Sequence, residues 1–186
     1  NGGSFAVSVK ENNYLGEGKQ LGFNLELDKE SLAGTLSYNN PNYDFLGNSI
    51  YYSLSSEKND VPTRGYENSI ISASVSTSFE QYKDIDLTLG LTASYDDLTT
   101  LSSASTALQK QSGEFEEISA NYGISYDKRD RKFMPTNGSV VAFNQTIPLY
   151  ADKGSIGNTF AASNYFSFSE DIVTATKFYI ATVNSI

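Results

Sequence analysis

The chain has 186 residues, a formal net charge of −9, and no cysteine, histidine or tryptophan. This composition excludes disulfides, thiolate sites, histidine bases and the usual transition-metal ligand sets, and its acidity argues against binding to nucleic acid. We therefore expect neither an enzyme nor a cofactor. No apolar run approaches the roughly 20 residues that a membrane-spanning helix requires.

Ten segments alternate apolar and small polar residues with a period of two, which is the pattern of a β-strand with one apolar and one polar face. Most of these segments have a length close to the about 9–11 residues with which a tilted strand crosses a bilayer. In chain order, the predicted strands cover residues 4–10, 19–28, 31–38, 47–56, 68–79, 85–95, 116–126, 139–149, 159–169 and 173–183.

The segment 85–95 shows the alternation most clearly. One face carries the apolar side chains of Ile85, Leu87, Leu89, Leu91, Ala93 and Tyr95. The other face carries Asp86, Thr88, Gly90, Thr92 and Ser94. A soluble β-sandwich turns such an apolar face inward and a membrane barrel turns it toward lipid, so periodicity alone leaves both folds open.

The connections between the predicted strands favour the barrel. The third, fifth and seventh (39–46, 80–84 and 127–138) are compact and rich in asparagine, proline, glycine and aromatic residues, whereas the fourth and sixth (57–67 and 96–115) are long and rich in serine and threonine. Outer-membrane barrels separate periplasmic turns from outer loops in this way. Aromatic residues at strand ends also predict an interfacial girdle of Tyr14, Tyr43, Phe45, Tyr82, Tyr95, Tyr126 and Phe133.

Ten strands without a covering helix leave two open sheet edges unless the sheet closes or pairs with more chain. The sequence begins at one predicted strand and ends just after another. The pattern therefore predicts an all-β fold, an antiparallel transmembrane β-barrel present in part, with about ten meander strands of a larger barrel. We expect residues 1–186 to be a fragment of an outer-membrane barrel domain that was cut at both ends.

Three turn-forming segments, in this order and separation, resemble motifs of the BamA-type outer-membrane assembly factors, also called the bacterial surface antigen family. They are similar to the forms "(Q/E)-x-N-aromatic-L-G-x-G", "N/D-P-x-aromatic" and "Y-D-x-R-D-x-x-x-x-P-T-x-G". The residues that carry the resemblance are Asn13, Tyr14, Leu15, Gly16, Gly18, Asn40, Pro41, Tyr43, Tyr126, Asp127, Arg129, Asp130, Pro135, Thr136 and Gly138.

The resemblance implies roughly the second to eleventh strands of a barrel that folds and inserts β-barrel proteins in the bacterial outer membrane. It implies three kinds of partner, namely outer-membrane lipid, unfolded outer-membrane protein clients and accessory assembly lipoproteins. The lipoproteins would bind through periplasmic POTRA domains, which are missing from these residues, as are the later strands and the family's "V-R-G-F" loop. The fragment is therefore expected to be the scaffold of the assembly pore, without the seam between first and last strands.

The motif residues also have a structural interpretation. Asparagine, glycine and proline supply the backbone geometry of tight reversals. Arg129 lies between Asp127 and Asp130, so charge pairing is expected to fix the turn, and we favour this role over direct contact with clients. Two other interpretations stay open, a passive porin-like or small outer-membrane barrel and, less favoured, a secreted soluble β-sandwich that acts as an interaction module.

Overall fold

The computed structural model describes residues 3–169 and 172–186. These residues form one antiparallel sheet of ten strands in sequence order. The strands are β1 (Phe5–Tyr14), β2 (Lys19–Leu27), β3 (Ser31–Asn40), β4 (Ser49–Val61), β5 (Tyr66–Tyr82), β6 (Ile85–Thr100), β7 (Gly113–Asp127), β8 (Gly138–Ala151), β9 (Ser155–Ser169) and β10 (Ile172–Ser185). A one-turn helix, α1 (Thr106–Gln109), precedes β7. No helix of the described ranges is long and apolar enough to span a membrane.

Each strand pairs with its neighbours in the chain, so the sheet is a continuous meander. Within the described residues β1 pairs only with β2 and β10 only with β9, and the sheet therefore does not close. All ten predicted strands are present, and the predicted all-β antiparallel fold is confirmed. The predicted connection at 170–172 lies largely outside the described residues.

All the strands except β2 are longer than predicted. β5 has 17 residues and β6 has 16, and most of the predicted connection 57–67 belongs to β4 and β5. There the ladder continues through polar positions such as Lys58, which forms an ion pair of 2.8 Å with Glu67. Backbone pairing does not depend on an apolar face, so the strands run on where the alternation fades.

The connections lie at two opposite edges of the sheet, as antiparallel pairing requires. At one edge, called here the turn edge, lie turn 1 (15–18), turn 3 (41–48), turn 5 (83–84) and turn 7 (128–137). At the other edge, called the loop edge, lie loop 2 (28–30), loop 4 (62–65), loop 6 (101–112) and loop 8 (152–154). The three motif segments therefore all lie at the turn edge.

Loop 6 is ordered by side-chain hydrogen bonds that the sequence did not predict. Ser105 caps α1 by accepting a bond from the Leu108 amide. The side-chain amide of Gln109 donates to the carbonyls of Leu101, Ser102 and Ala104. A single helical turn carries too little periodicity to be seen in the sequence, and these bonds rather than an apolar face hold it.

Candidate functional site

On the central strands β4 to β7 the two faces of the sheet differ in exposure in the sense opposite to that of a soluble protein. On β7, Ser119 is 5% exposed, whereas Ile118 beside it is 46% exposed and Ile124 is 44% exposed. On β6, Leu89 and Leu91 are exposed while Thr92 and Ser94 are half-buried. The polar face is therefore the crowded inner side, called here the inward face, and the apolar face points outward.

Short polar side chains on the inward face bond to one another across the strands. Ser53 and Ser74 on β4 and β5 lie 2.9 Å apart. On the next strands the Asn121 amide donates to Thr92 at 2.9 Å and accepts from the Thr146 hydroxyl at 2.8 Å. The bonds Ser53–Ser74 and Asn121–Thr146 join directly opposite residues, and the bond Asn121–Thr92 joins diagonal neighbours. The polar faces predicted for separate strands are therefore confirmed as one continuous surface.

The outward face contains one polar row that the sequence analysis missed. Gln145, Asn158 and Thr182 occupy paired positions on β8, β9 and β10. Gln145 donates to Asn158, and the amide of Asn158 donates to the Thr182 hydroxyl at 3.3 Å. The row is revealed by the strand register. Gln145 pairs with Tyr122, whose side chain points outward, so the side chain of Gln145 points outward as well.

Turn 7 is the most organised segment of the turn edge. Arg129 donates from Nε to Asp127 at 2.8 Å and from a terminal nitrogen at 2.6 Å. This bidentate pair lowers the pKa of Asp127 to about 2, chiefly through the side-chain bond. Asp127 is the last residue of β7, so the pair joins the strand to the start of the turn.

A second carboxylate organises the return of the chain to β8. Asp130 accepts the Thr136 hydroxyl at 2.6 Å and the backbone amides of Thr136 and Asn137 at 3.0 and 3.2 Å. These bonds, led by the one from the Thr136 hydroxyl, lower the pKa of Asp130 to about 2. Gly138 follows at φ +99, and a Cβ placed there would collide with the Lys128 carbonyl. The turn is thus built for glycine at this position.

Turn 7 is also fastened to its neighbour. Lys128 forms an ion pair of 2.5 Å with Asp84 of turn 5, which raises the pKa of Lys128. The Lys128 ammonium lies 5.7 Å from the centroid of the Tyr126 ring. The partners Lys128 and Asp84 are 44 positions apart, and the sequence motif contains only one of them.

Turns 1 and 3 are each closed by their own side chains. In turn 1 the Asn13 side chain accepts from the Gly18 amide at 2.7 Å, and Leu15 and Gly16 have positive φ values of 58 and 75. In turn 3 the Asn40 side chain accepts from the Asn42 amide at 3.2 Å.

A further acid of turn 3 that the motif does not include, Asp44, accepts from the backbone of Asn48 and Leu46. The bonds from Asn48 lead in lowering its pKa. Turn 3 is therefore held by a residue that the sequence analysis did not select.

The structure therefore places every predicted site residue at one edge without gathering them into one cluster. Turn 7 contacts turn 5 through Lys128, whereas no side-chain hydrogen bond or ion pair between described residues joins turns 1, 3 and 7. Tyr14, Asn40 and Asp127 end strands, Tyr126 precedes Asp127 in β7, and Gly138 begins β8. The arrangement supplies three rigid reversals, and a shared chemical site is not formed.

An antiparallel meander with polar side chains inward and apolar side chains outward is the arrangement of a transmembrane β-barrel, present here in part. A model of the Omp85 superfamily domain matches residues 13–185. The chain belongs to the Omp85 superfamily.

The sheet is similar to the crystal structure of BamA from Haemophilus ducreyi lacking POTRA domains 1–3, with a TM-score of 0.78 and 23% sequence identity. The match covers 98% of this chain and 38% of that one, so the chain spans well under half of its structural relative. The predicted resemblance to a partial BamA-type barrel is confirmed by these two matches.

Proposed function

We propose that this chain is part of the membrane barrel of an outer-membrane assembly factor, which folds and inserts β-barrel proteins into the bacterial outer membrane. The observation that carries the proposal is the inverted exposure of the two faces, with Leu89 49% exposed and Ser119 5% exposed, in a chain of the Omp85 superfamily. Hydrocarbon is the solvent in which this inversion is favourable.

In this function the chain acts through strands and turns and not through a reaction. An incoming client must keep its backbone hydrogen-bonded in lipid, and the edge of a β-sheet offers that pairing. In the middle of the central strands β4 to β7 the inward face offers a lining of uncharged polar side chains, as the Ser53–Ser74 pair illustrates. We therefore propose a non-enzymatic role without a cofactor.

The proposed partners are outer-membrane lipid along the outward face and unfolded outer-membrane proteins as clients. Accessory lipoproteins are proposed to act through POTRA domains that lie outside residues 1–186. In the outer membrane the turn edge is proposed to face the periplasm and the loop edge the exterior. The turn motifs support this orientation because turn 7 is closed by its own side chains, as in the pair of Arg129 with Asp127.

The test uses the intact protein that contains this chain, reconstituted into phospholipid vesicles with an unfolded eight-stranded barrel as client. Folding of the client is followed by its altered mobility on unheated gels. We expect the client to fold faster in these vesicles than in empty ones. The inward variant Thr88→Lys is expected to keep this acceleration, and the outward variant Leu89→Lys is expected to lose it. Steady solute conductance without acceleration of folding would favour the passive porin and contradict the proposal.

A further inference from the structure

The tip of turn 7 exposes two large apolar side chains next to two basic ones. Phe133 is 81% exposed and Met134 is 69% exposed, and Arg131 and Lys132 are also exposed. Met134 has a φ of +48, a region that residues other than glycine seldom adopt. The backbone thus presents an apolar tip to the surroundings at a conformational cost, which favours a functional reason for it.

The charge of the turn is opposite to that of the chain. Residues 127–138 contain four bases and two acids, which gives +2, while the whole chain carries −9. Both acids are occupied, because Asp127 holds Arg129 and Asp130 accepts from Thr136 and Asn137. The two bases before Asp130, Lys128 and Arg129, are likewise committed to Asp84 and Asp127.

The two bases at the tip are not committed in this way. Arg131 approaches Asp130 only to 3.8 Å through Nε. Lys132 forms no ion pair within 4.0 Å with any residue that the structure describes. Their guanidinium and ammonium donors are therefore available for an anion outside the chain, and a guanidinium is well suited to bidentate binding of phosphate.

The apolar tip belongs to a row along the turn edge. Turns 1 and 3, and the end of β5 beside turn 5, also carry exposed large apolar side chains, namely Leu15, Tyr43, Phe45, Leu46 and Tyr82. Tyr126 lies between turn 7 and the outward face of β7. Ile124 and Tyr122, two and four residues before it, point to the same side and are exposed. The row thus continues the surface that faces hydrocarbon, which points to a lipid leaflet.

We propose that Arg131, Lys132, Phe133 and Met134 form a phospholipid-binding tip, in which the two bases bind headgroup phosphates and the two apolar side chains enter the interface below them. The proposal rests on the proposed function for the membrane location of the sheet and for the phospholipid leaflet at the turn edge. Basic residues beside apolar ones are the combination that holds a segment at an anionic membrane surface. The tip would fix the depth of turn 7 while the Arg129–Asp127 pair fixes its shape.

The experiment measures the depth of the tip in vesicles that contain the intact protein. Because this chain has no cysteine, single cysteines at Phe133, Leu89 and Ser102 can carry a polarity-sensitive fluorophore, once any cysteine elsewhere in the protein is replaced by serine. Nitroxide-labelled lipids, with the nitroxide near the headgroup or deep in the acyl chain, report the depth by quenching. We expect the headgroup nitroxide to quench the fluorophore at position 133 and the acyl-chain nitroxide to quench it at position 89. At position 102 we expect little quenching by either.

The role of charge is measured by comparing phosphatidylcholine vesicles with vesicles that contain phosphatidylglycerol. Phosphatidylglycerol is expected to increase quenching at position 133, and removing each base by Arg131→Gln or Lys132→Gln is expected to lower the ratio of inserted to withdrawn tip about fivefold. The matched control Lys29→Gln with Lys153→Gln, at the loop edge, is expected to leave the depth of position 133 unchanged.

The possible results separate the two proposals. Quenching at 89 without quenching at 133 would overturn the lipid-binding tip and leave the membrane barrel intact. Absence of quenching at 89 would contradict the proposed function itself. If position 133 became shielded only on addition of a periplasmic protein and not by lipid, the tip would be a protein-docking surface, and the proposal of a phospholipid site would be wrong.

Discussion

Leu89 and Thr88 are neighbours in the chain whose side chains meet different surroundings. Leu89 lies on the outward face at 49% exposure, and Thr88 lies on the inward face, where its hydroxyl donates to Ser78 at 3.3 Å. Replacing Leu89 by lysine places a charge against hydrocarbon, which costs about 2–4 kcal/mol near the bilayer midplane. Thr88→Lys is expected to cost much less, since its side chain reaches water.

Urea unfolding of the protein in vesicles measures both variants. Ile124→Lys and Ser125→Lys form a second matched pair on β7, where Ile124 is 44% exposed. If the inward variants proved the more damaging in both pairs, the assignment of the two faces would be reversed.

Arg129 is expected to hold turn 7 in its closed conformation through its two hydrogen bonds to Asp127. Arg129→Ala removes a partly buried charge pair and leaves Asp127 without its main donor, at a cost of about 1 kcal/mol. Opening of the turn should therefore rise about fivefold, measured as the rate of proteolytic cleavage within 128–137. Arg64→Ala is the control, because Arg64 is an exposed base in loop 4, at the opposite edge of the sheet. An unchanged cleavage rate in Arg129→Ala would show that Arg129 does not stabilise the turn.

Gly138 is required by both backbone conformation and space. Its φ is +99, and an added Cβ would strike the backbone of Lys128 and Arg129. Gly16 is a matched control, because its φ is also positive, at +75, while an added Cβ there meets nothing within 4 Å. Gly16→Ala is expected to cost about 1–3 kcal/mol from the backbone alone, and Gly138→Ala clearly more. Thermal unfolding in detergent compares them, and equal losses would show that the close approach to Lys128 is unimportant.

The contacts of single residues were predictable only over short sequence distances. The pairing of Arg129 with Asp127 spans two positions and follows from the motif. The pairing of Lys128 with Asp84 spans 44 positions and depends on the register of β6 against β7. No pattern within the motif encodes that register.

Turn 7 as an element carries a pH dependence whose sign is fixed by its two acids. The pKa values of Asp127 and Asp130 are each lowered from 3.8 to about 2 in the folded turn. A lowered folded pKa means that the stabilisation is complete above the unfolded value near 4 and is lost as the pH falls toward 2. The turn should therefore open between about pH 4 and pH 2 while the strands persist.

Hydrogen exchange of peptides that cover residues 127–138, corrected for the intrinsic rate at each pH, measures this opening. Loop 6 is the control, because residues 101–112 contain no acidic residue. Asp130→Asn is expected to weaken the pH dependence by removing one of the two titrating groups. Equal pH dependence in turn 7 and loop 6 would show that these carboxylates do not hold the turn.

The existence of the strands could be predicted from sequence, whereas their ends could not. Alternation over 85–95 reports which face meets lipid, and it disappears where both faces meet water. β6 nevertheless continues to Thr100 and β7 begins at Gly113, since backbone hydrogen bonds hold the ladder there. Likewise the outward position of Gln145 follows from its pairing with Tyr122, which periodicity within β8 alone does not reveal.

At the scale of the whole molecule, periodicity could not distinguish a barrel section from a sandwich, but exposure does. The accessible surface of the chain is 12650 Å². A compact monomer of its mass, 20.3 kDa, is expected to expose only about 8,800 Å². Among the described residues Ala104 carries the only hydrophobic side chain that is buried. A soluble sandwich of this length would bury a core, so this exposure favours the barrel section.

This excess surface predicts how the isolated 186-residue chain behaves in solution. β1 and β10 each leave one edge without a partner among the described residues, and unpaired edges beside an exposed apolar face promote aggregation. We expect a β-rich, defined species above the critical micelle concentration of a mild detergent and aggregation below it. Light scattering coupled to size-exclusion chromatography and circular dichroism, recorded across that concentration, measure the change. A monodisperse, β-rich monomer in plain buffer would mean that Leu89 and its outward neighbours do not need hydrocarbon, and it would favour the soluble sandwich instead.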